Sequence, residues 1–300
     1  MIIPNELISF VVDQNYSDYS DEDRKVWQIV ISEKEEFLLN HGGCIDPTYL
    51  LGFSKIGFSS KQIPTLADIN EVLQTVGWIA VCVDGYLPAT VYAGFIEHKI
   101  FPVAKHIRSL EHISYSPTPD FIHDVTGHLP MLFSQNYHKF LQRIIVLMSK
   151  APGNYLDEAL FNANVELGDL KKSLNGMDIK IQMTQNKISA IQNKLKENPS
   201  ALTHLSRMFL WSIEFGLIGT MESYKCFGAG MLSSSTEIIA ACKNPRKILP
   251  YTLNVIDYEM NFSEIQNQYF VTESYGQLSD VLNEYLNQIA PVIFNAQMAN

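Results

Sequence analysis

Two histidines five positions apart, His123 and His128, sit in the run Pro119-Asp120-Phe121-Ile122-His123-Asp124-Val125-Thr126-Gly127-His128. An ideal helix turns about 100° per residue, so side chains five apart diverge by roughly 140°, whereas those four apart nearly align. For both imidazoles to act on one point, the backbone must leave the regular helix, and Gly127 is the residue that permits the departure. An acid beside the first histidine and a glycine before the second suit a metal site. Two histidines and one carboxylate can hold one face of a ferrous ion and leave its other positions open to oxygen or water. The spacing does not identify the acid. Glu214, far downstream in an apolar helical run, is one candidate, and two unrelated histidines near a helix start fit the same spacing.

Acidic residues outnumber basic ones, 32 to 22, giving a formal charge of −10. That balance disfavours nucleic acid as a partner, because phosphate-backbone binding needs a basic surface. A hydrophobic content of 46% across 300 residues is enough for a substantial core, as one large domain or two small ones. The four cysteines, Cys44, Cys82, Cys226 and Cys242, are scattered without CxxC pairing and read as reduced core residues of a cytoplasmic protein. The first residues lack the basic region and apolar core of a signal peptide. The longest apolar run, Val76 to Val83, is too short to span a bilayer, so no membrane association is expected.

Along the chain, Ser20 can cap a helix whose first turn holds Asp21, Glu22 and Asp23 and which stops near Gly42-Gly43. Ile63 to Trp78 reads as a loop and short helix, and Trp78 to Val83 as a buried strand closed by Asp84-Gly85. Short strands are expected between Leu87 and His106, where Gly94 and Pro102 interrupt regularity. Helices then dominate from about residue 120, with a short β-hairpin expected between Val255 and Thr272.

One stretch has a coiled-coil seam. Leu167, Leu170, Leu174, Met177, Ile181, Thr184, Ile188, Ile191 and Leu195 alternate steps of three and four. As one helix it would be roughly 45 Å long. Asn175-Gly176 is a turn signal that could divide it into a hairpin, but the seam keeps its phase across the glycine, which favours a single helix. Such a seam can lie on the protein's own body or pair with a second subunit as a homodimer arm.

Beyond the histidines, the chain resembles the pterin-dependent aromatic amino acid hydroxylases. The matching blocks are Tyr115 to Asp120, His123 to Pro130, Trp211 to Leu217, and Gly228-Ala229-Gly230-Met231-Leu232-Ser233-Ser234. The resemblance implies a mainly α (α+β) fold: a helical basket with a few short strands, forming a single catalytic domain over residues 1–300 with a helical insertion at about 160–200. It also implies an Fe(II)- and tetrahydropterin-dependent monooxygenase that uses O2 and acts on an aromatic amino acid. Conversion of phenylalanine to tyrosine is favoured, with tryptophan or another ring carbon as the alternative.

Carried over residue by residue, His123, His128 and Glu214 would be the iron ligands. An unpaired carboxylate among Phe209, Leu210, Trp211, Ile213 and Phe215 would be costly, and coordination removes that cost. Arg108 would grip the substrate carboxylate as a planar fork, assisted by Ser116 and Ser233. Pro119 and Phe215 match walls of the aromatic side-chain pocket, and Leu210 stands where the family has an aromatic wall residue. Tyr92 matches the residue stacked on the pterin, and Leu87 and Ala89 the adjoining loop. Asp124 replaces a glutamate that reaches the pterin through water. Two readings of other classes use the same residues: a zinc hydrolase with three ligands and a bound water, and an inactive assembly protein working through the heptad segment.

Overall fold

The structure, a computed structural model, describes residues 2–113, 119–172, 178–243, 247–260 and 265–291. Ser116 and the Asn175-Gly176 turn signal lie outside the described residues. The first long helix, α1 (Asp21–His41), opens on a reciprocal cap: Asp23 N donates to Ser20 Oγ at 3.1 Å and Ser20 N donates to Asp23 Oδ2 at 2.8 Å. Its inward face buries Val26, Trp27, Ile31 and Phe37, and the helix ends where Gly42–Cys44 tightens into a 3-10 turn. Helices α2 (Pro47–Ile56) and α3 (Leu66–Leu73) follow, the second capped by Thr65.

Strand β1 (Ile79–Val83) lies where the apolar run suggests, and pairs in parallel with β2 (Ile100–Ala104), Ile79 opposite Ile100. Helix α4 (Ala89–Glu97) joins them, so the region expected to hold short strands holds one strand, β2, preceded by a helix. Parallel neighbours require a crossover, and a helix is the usual one. Gly94 does not break it; a Cβ there would lie 3.1 Å from Leu7 Cδ2, so the position is a seat for that leucine.

The second sheet has the order β4-β3-β6-β5, from β3 (Gly216–Gly219), β4 (Tyr224–Cys226), β5 (Lys247–Pro250) and β6 (Gln268–Thr272). Among the described residues, the hairpin expected between Val255 and Thr272 does not form. Leu253–Asp257 is a 3-10 turn, and β6 lies between β3 and β5, parallel to both. Tyr269, Phe270, Val271 and Thr272 are consecutive buried residues, and such a run needs cover on both faces, which an interior parallel strand provides.

Helices α5 (Gln135–Lys150), α6 (Tyr155–Lys172), α7 (Asp178–Glu197), α8 (Ala201–Phe209), α9 (Ser235–Cys242) and α10 (Tyr275–Gln288) complete the frame. The main core gathers Trp27, Trp78, Trp211, Tyr49, Phe121 and Phe227.

The heptad segment is a pair of helices rather than one rod. Leu156 and Ala163 of α6 form a small core with Ile191 and Leu195 of α7, and Lys187 Nζ reaches Glu166 Oε2 at 3.1 Å. The two limbs therefore run antiparallel. Each supplies the apolar partner the other's seam needs, and this outweighs the continuous phase that favoured a single helix. Asn154 Nδ2 donates to Asn198 O at 3.2 Å, so the segment leaves and rejoins the body at one place. A long excursion with joined ends adds little closure entropy.

Candidate iron and pterin site

His123 and His128 lie on one short helical stretch that changes pitch between them. Phe121–His123 is α-helical, Asp124–His128 is a π-turn in which Leu129 N–H bonds Asp124 O five residues back, and Leu129–Met131 returns to α. With bonds closing over five residues, side chains five apart return to one face, which the five-residue spacing requires. Gly127 serves this geometry differently from the expectation. Its φ is not in the left-handed region. A Cβ there would stand 2.4 Å from Ala229 O, so glycine is needed for close approach of two backbones.

The carboxylate comes from a second π-turn. Helix α8 runs on into Leu210–Glu214, where Phe215 N donates to Leu210 O at 2.9 Å. Glu214 Oε1 lies 3.2 Å from His128 Nε2, and Oε2 lies 3.5 Å from His123 Nε2. One ligand atom from each of the three falls within 4.8 Å of the others. The block after β4 holds this glutamate from behind: a Cβ at Gly228 would be 2.4 Å from Glu214 O. The Gly230 amide donates to the Glu214 carboxylate.

Each ring's far nitrogen has a partner. His123 Nδ1 is 3.2 Å from Ser233 Oγ, and that hydroxyl donates its own proton to Gly230 O at 2.9 Å. Ser233 can therefore only accept from His123, which fixes the Nδ1–H tautomer and leaves the Nε2 lone pair facing Glu214. His128 Nδ1 is 3.1 Å from Tyr137 Oη, whose phenol burial drives well above its ordinary range, so it stays a neutral hydroxyl. Burial pushes His123 down to about 4 despite the Glu214 charge, so that ring is neutral. For His128, burial acts in the same direction, but the charge and hydrogen bond of Glu214 outweigh it and raise the ring. Burial would raise Glu214, and His128, His123 and the Gly230 amide together hold it below the usual carboxylate range. The His123 Nε2 lone pair faces the carboxylate, His128 Nε2 hydrogen-bonds it, and both Nδ1 positions are occupied, an arrangement in which a divalent metal can take the place of the His128 proton.

A cavity of about 460 Å³ opens onto these three residues. Of the residues expected in the site, Leu87, Ala89, Tyr92, Pro119, His123, Asp124, His128 and Glu214 line it. Phe101 stands edge-on to Tyr92 (6.5 Å, 81°) and 5.0 Å from the His128 ring, linking the aromatic platform to a ligand. A face of Tyr92 beside the Leu87 and Ala89 loop fits a planar heterocycle. Asp124 accepts from Ala104 N at 2.8 Å, and burial raises its carboxyl to about 7.

Arg108, Leu210, Phe215 and Ser233 are not in the cavity lining. Arg108 is buried and paired with Asp120, Nε to Oδ2 at 2.9 Å and Nη2 to Oδ1 at 2.6 Å. Burial would raise Asp120, but the Arg108 charge and the amides of His123 and Arg108 hold it low. Asp120 also caps the histidine helix, accepting from His123 N at 2.9 Å. Leu210 leaves the wall to Phe209, because the π-turn shifts which residue of α8 faces inward. Trp211 turns away, donating from Nε1 to Tyr258 O at 2.8 Å. Tyr137, Phe209, and the loop residue Tyr86 with Phe161 and Gly168 of α6 are site residues that sequence reasoning missed. Asp120 stood in a matching block without a role assigned to it. Tyr137 and α6 carry no motif.

A family model described as biopterin-dependent aromatic amino acid hydroxylase matches residues 12–172 and 184–297. The phenylalanine-4-hydroxylase of Ralstonia nicotianae is 26% identical over 274 residues, covering 90% of this chain and 72% of that protein. That of Caulobacter vibrioides is 25% identical over 287 residues, covering 93% and 79%. Among solved structures, Chromobacterium violaceum phenylalanine hydroxylase with bound Fe(III) superposes with a TM-score of 0.68 at 23% identity, over 90% of this chain and 82% of that one. Its form with iron(III) and oxidised 7,8-dihydrobiopterin gives 0.70 at 22%, over 96% and 93%. At those identities the structures establish the shared fold, and with the family match across most of its length the chain belongs to the biopterin-dependent aromatic amino acid hydroxylases.

Proposed function

We propose that the protein is an iron- and tetrahydropterin-dependent monooxygenase that hydroxylates phenylalanine to tyrosine. The observation that carries this is the convergence of His123, His128 and Glu214 on one point at the wall of a cavity that also holds Tyr92. Phenylalanine is chosen because the relatives named above are phenylalanine hydroxylases.

A ferrous ion held by the three ligands and a tetrahydropterin on Tyr92 would together supply activation of O2 and oxidation of the aromatic ring. The chain's own work is placement. Ser233 fixes the tautomer that keeps His123 Nε2 available as a ligand, and Tyr137 can accept from His128 Nδ1 once that ring binds through Nε2. Asp120 occupies the Nε–Nη2 edge of Arg108, so the Nη1 edge is the one a substrate carboxylate would use. Pro119, Ile145, Met148 and Phe209 give the cavity apolar walls that favour an aromatic side chain and exclude water. Residues 1–300 act in this proposal as one catalytic domain in the cytoplasm, where the four free thiols fit a reducing compartment. Among the described residues no helix is long and apolar enough to cross a membrane.

The test uses purified protein with Fe(II), a tetrahydropterin and each aromatic amino acid in turn, following oxygen uptake and identifying products by mass and retention. Pterin-dependent uptake with tyrosine formed from phenylalanine is expected. Zinc-supported hydrolysis with no such uptake would overturn the proposal in favour of a hydrolase.

A further inference from the structure

Three residues of the cavity wall come from α6, outside the blocks that carry the resemblance: Phe161, Gly168 and Asp169. They meet the loop between β1 and α4, which contributes Gly85, Tyr86, Leu87 and Ala89 to the same wall. The two walls join at Tyr86. Its ring stands edge-on to Phe161, with centroids 6.5 Å apart at 79°. It also lies against Gly168, where a Cβ would be 2.8 Å from Tyr86 Cε2. Burial and the nearby Asp169 carboxylate both raise the Tyr86 phenol, which keeps it neutral.

Gly168 is out of place as a helix residue. Inside a helix, glycine is less stable than alanine, because it gives up more backbone freedom. The neighbouring residues of α6, Leu167 and Leu170, belong to the hairpin's seam, so the glycine interrupts an otherwise well-formed helix. The tyrosine ring seated against it accounts for its presence. The family match breaks off at residue 172 and resumes at 184, so all of α6 lies inside it and the departure is confined to residues 173–183.

We propose that the α6–α7 hairpin completes the pterin site of this enzyme by seating Tyr86 between Phe161 and Gly168, which fixes the Gly85–Ala89 loop against the pterin. Tyr86 and Gly168 are positioning residues, and the heptad segment is part of the site. This rests on the assignment of the cavity to a pterin made above.

The experiment measures 7,8-dihydrobiopterin binding to the full-length, iron-loaded protein by calorimetry, alongside thermal stability and steady-state kinetics. Gly168→Ala is the central variant, because helix propensity and the proposal predict opposite signs. The helix should become no less stable, while pterin affinity falls about three- to tenfold. The KM for tetrahydropterin should rise to the same extent, with kcat, iron stoichiometry and the KM for phenylalanine unchanged. In a Tyr86→Ala background, Gly168→Ala should cost nothing further, since the ring it displaces is gone. Phe161→Ala provides a second route and should weaken binding about threefold.

Unchanged pterin affinity in Gly168→Ala and Phe161→Ala, with the parent protein binding normally, would overturn this inference and leave the hydroxylase assignment intact. Additive losses in the double variant would also overturn it, because the hairpin would then act other than through Tyr86. A parent protein that bound iron but no pterin would remove the cavity assignment, and this inference with it.

Discussion

The candidate metal centre and the hairpin are both helical, yet they are held together at different scales. In the centre, backbones touch: Gly127 meets the carbonyl of Ala229, and Gly228 and Gly230 meet that of Glu214, at distances where no Cβ fits easily. In the hairpin, Leu156, Ala163, Ile191 and Leu195 mesh through aliphatic side chains, with Phe161, Ile179 and Met183 left exposed. Side-chain packing tolerates exchange of one apolar residue for another. Backbone contact does not, and the ligand atoms at its end are placed correspondingly tightly. A glycine therefore has opposite consequences in the two regions.

The largest expected effect follows from that opposition. In Gly127→Ala the added carbon collides with a carbonyl that cannot rotate away, and both strands of the contact carry site residues. A loss of at least about 3 kcal/mol in denaturant unfolding is expected, with iron stoichiometry falling well below one. Gly168→Ala in the hairpin should lose no stability. Equal tolerance at both glycines would erase the distinction drawn here.

The two regions also differ in how they hold charge. Lys34 is buried behind the centre, with Nζ bonded to Leu232 O and 5.9 Å from the centre of the Tyr49 ring. Burial pulls its ammonium down to about 7. For a cation whose pKa is depressed on folding, the unfolded chain binds more protons between the folded and unfolded values. Stability therefore rises with pH from about 7 toward 10.5, and the cost is full below 7. Lys34→Met should stabilise the protein by about 2 kcal/mol or more at pH 6, and by clearly less at pH 9. The Tyr49 hydroxyl gives its shorter bond to Thr126 O at 2.8 Å and reaches Leu232 O only at 3.4 Å, so part of the gain is offset by that carbonyl. A gain independent of pH would mean that folding does not depress the ammonium and that it stays charged through pH 9.

Tyr137→Phe removes the hydroxyl on His128 Nδ1 and nothing else. The ring then loses the partner that orients its Nδ1, and iron affinity should fall about 10- to 100-fold while the unfolding midpoint barely moves. Competition with a chelator reads the affinity. An unchanged affinity would show that packing alone, the Phe101 ring included, orients His128.

How much of each region could be read in the sequence follows the same division. The hairpin announced its helices through the three–four seam, but the seam could not say whether its partner was another subunit or its own return limb. Ile191 and Leu195 have the same pattern in either case. The centre showed its ligands through ordered blocks, and the five-residue histidine spacing required a non-α backbone that proved to be a π-turn. The second π-turn, ending at Glu214, left no such mark, so Leu210 was placed on the wall that Phe209 occupies. Tyr137 could not be found because a hydroxyl that orients a ligand needs no fixed spacing from it. Strand β6 was misread as half of a hairpin because a buried run does not name its neighbours.

The smallest effect belongs to the hairpin's own ion pair. Lys187 Nζ and Glu166 Oε2 are 3.1 Å apart, but both side chains are about half exposed, at 54% and 51%. Water screens such a pair, and holding two long side chains in one geometry costs entropy that offsets the attraction. Lys187→Ala should therefore change stability by less than about 0.5 kcal/mol, and a rise in salt should do no more. The buried pair of Arg108 with Asp120 is the opposite case, since truncating either partner leaves an uncompensated charge beside the histidine helix. A Lys187→Ala loss above about 1 kcal/mol would mean that the two limbs depend on a specific polar contact. The helix pair would then share the centre's intolerance, and packing along the apolar seam could no longer account for its stability.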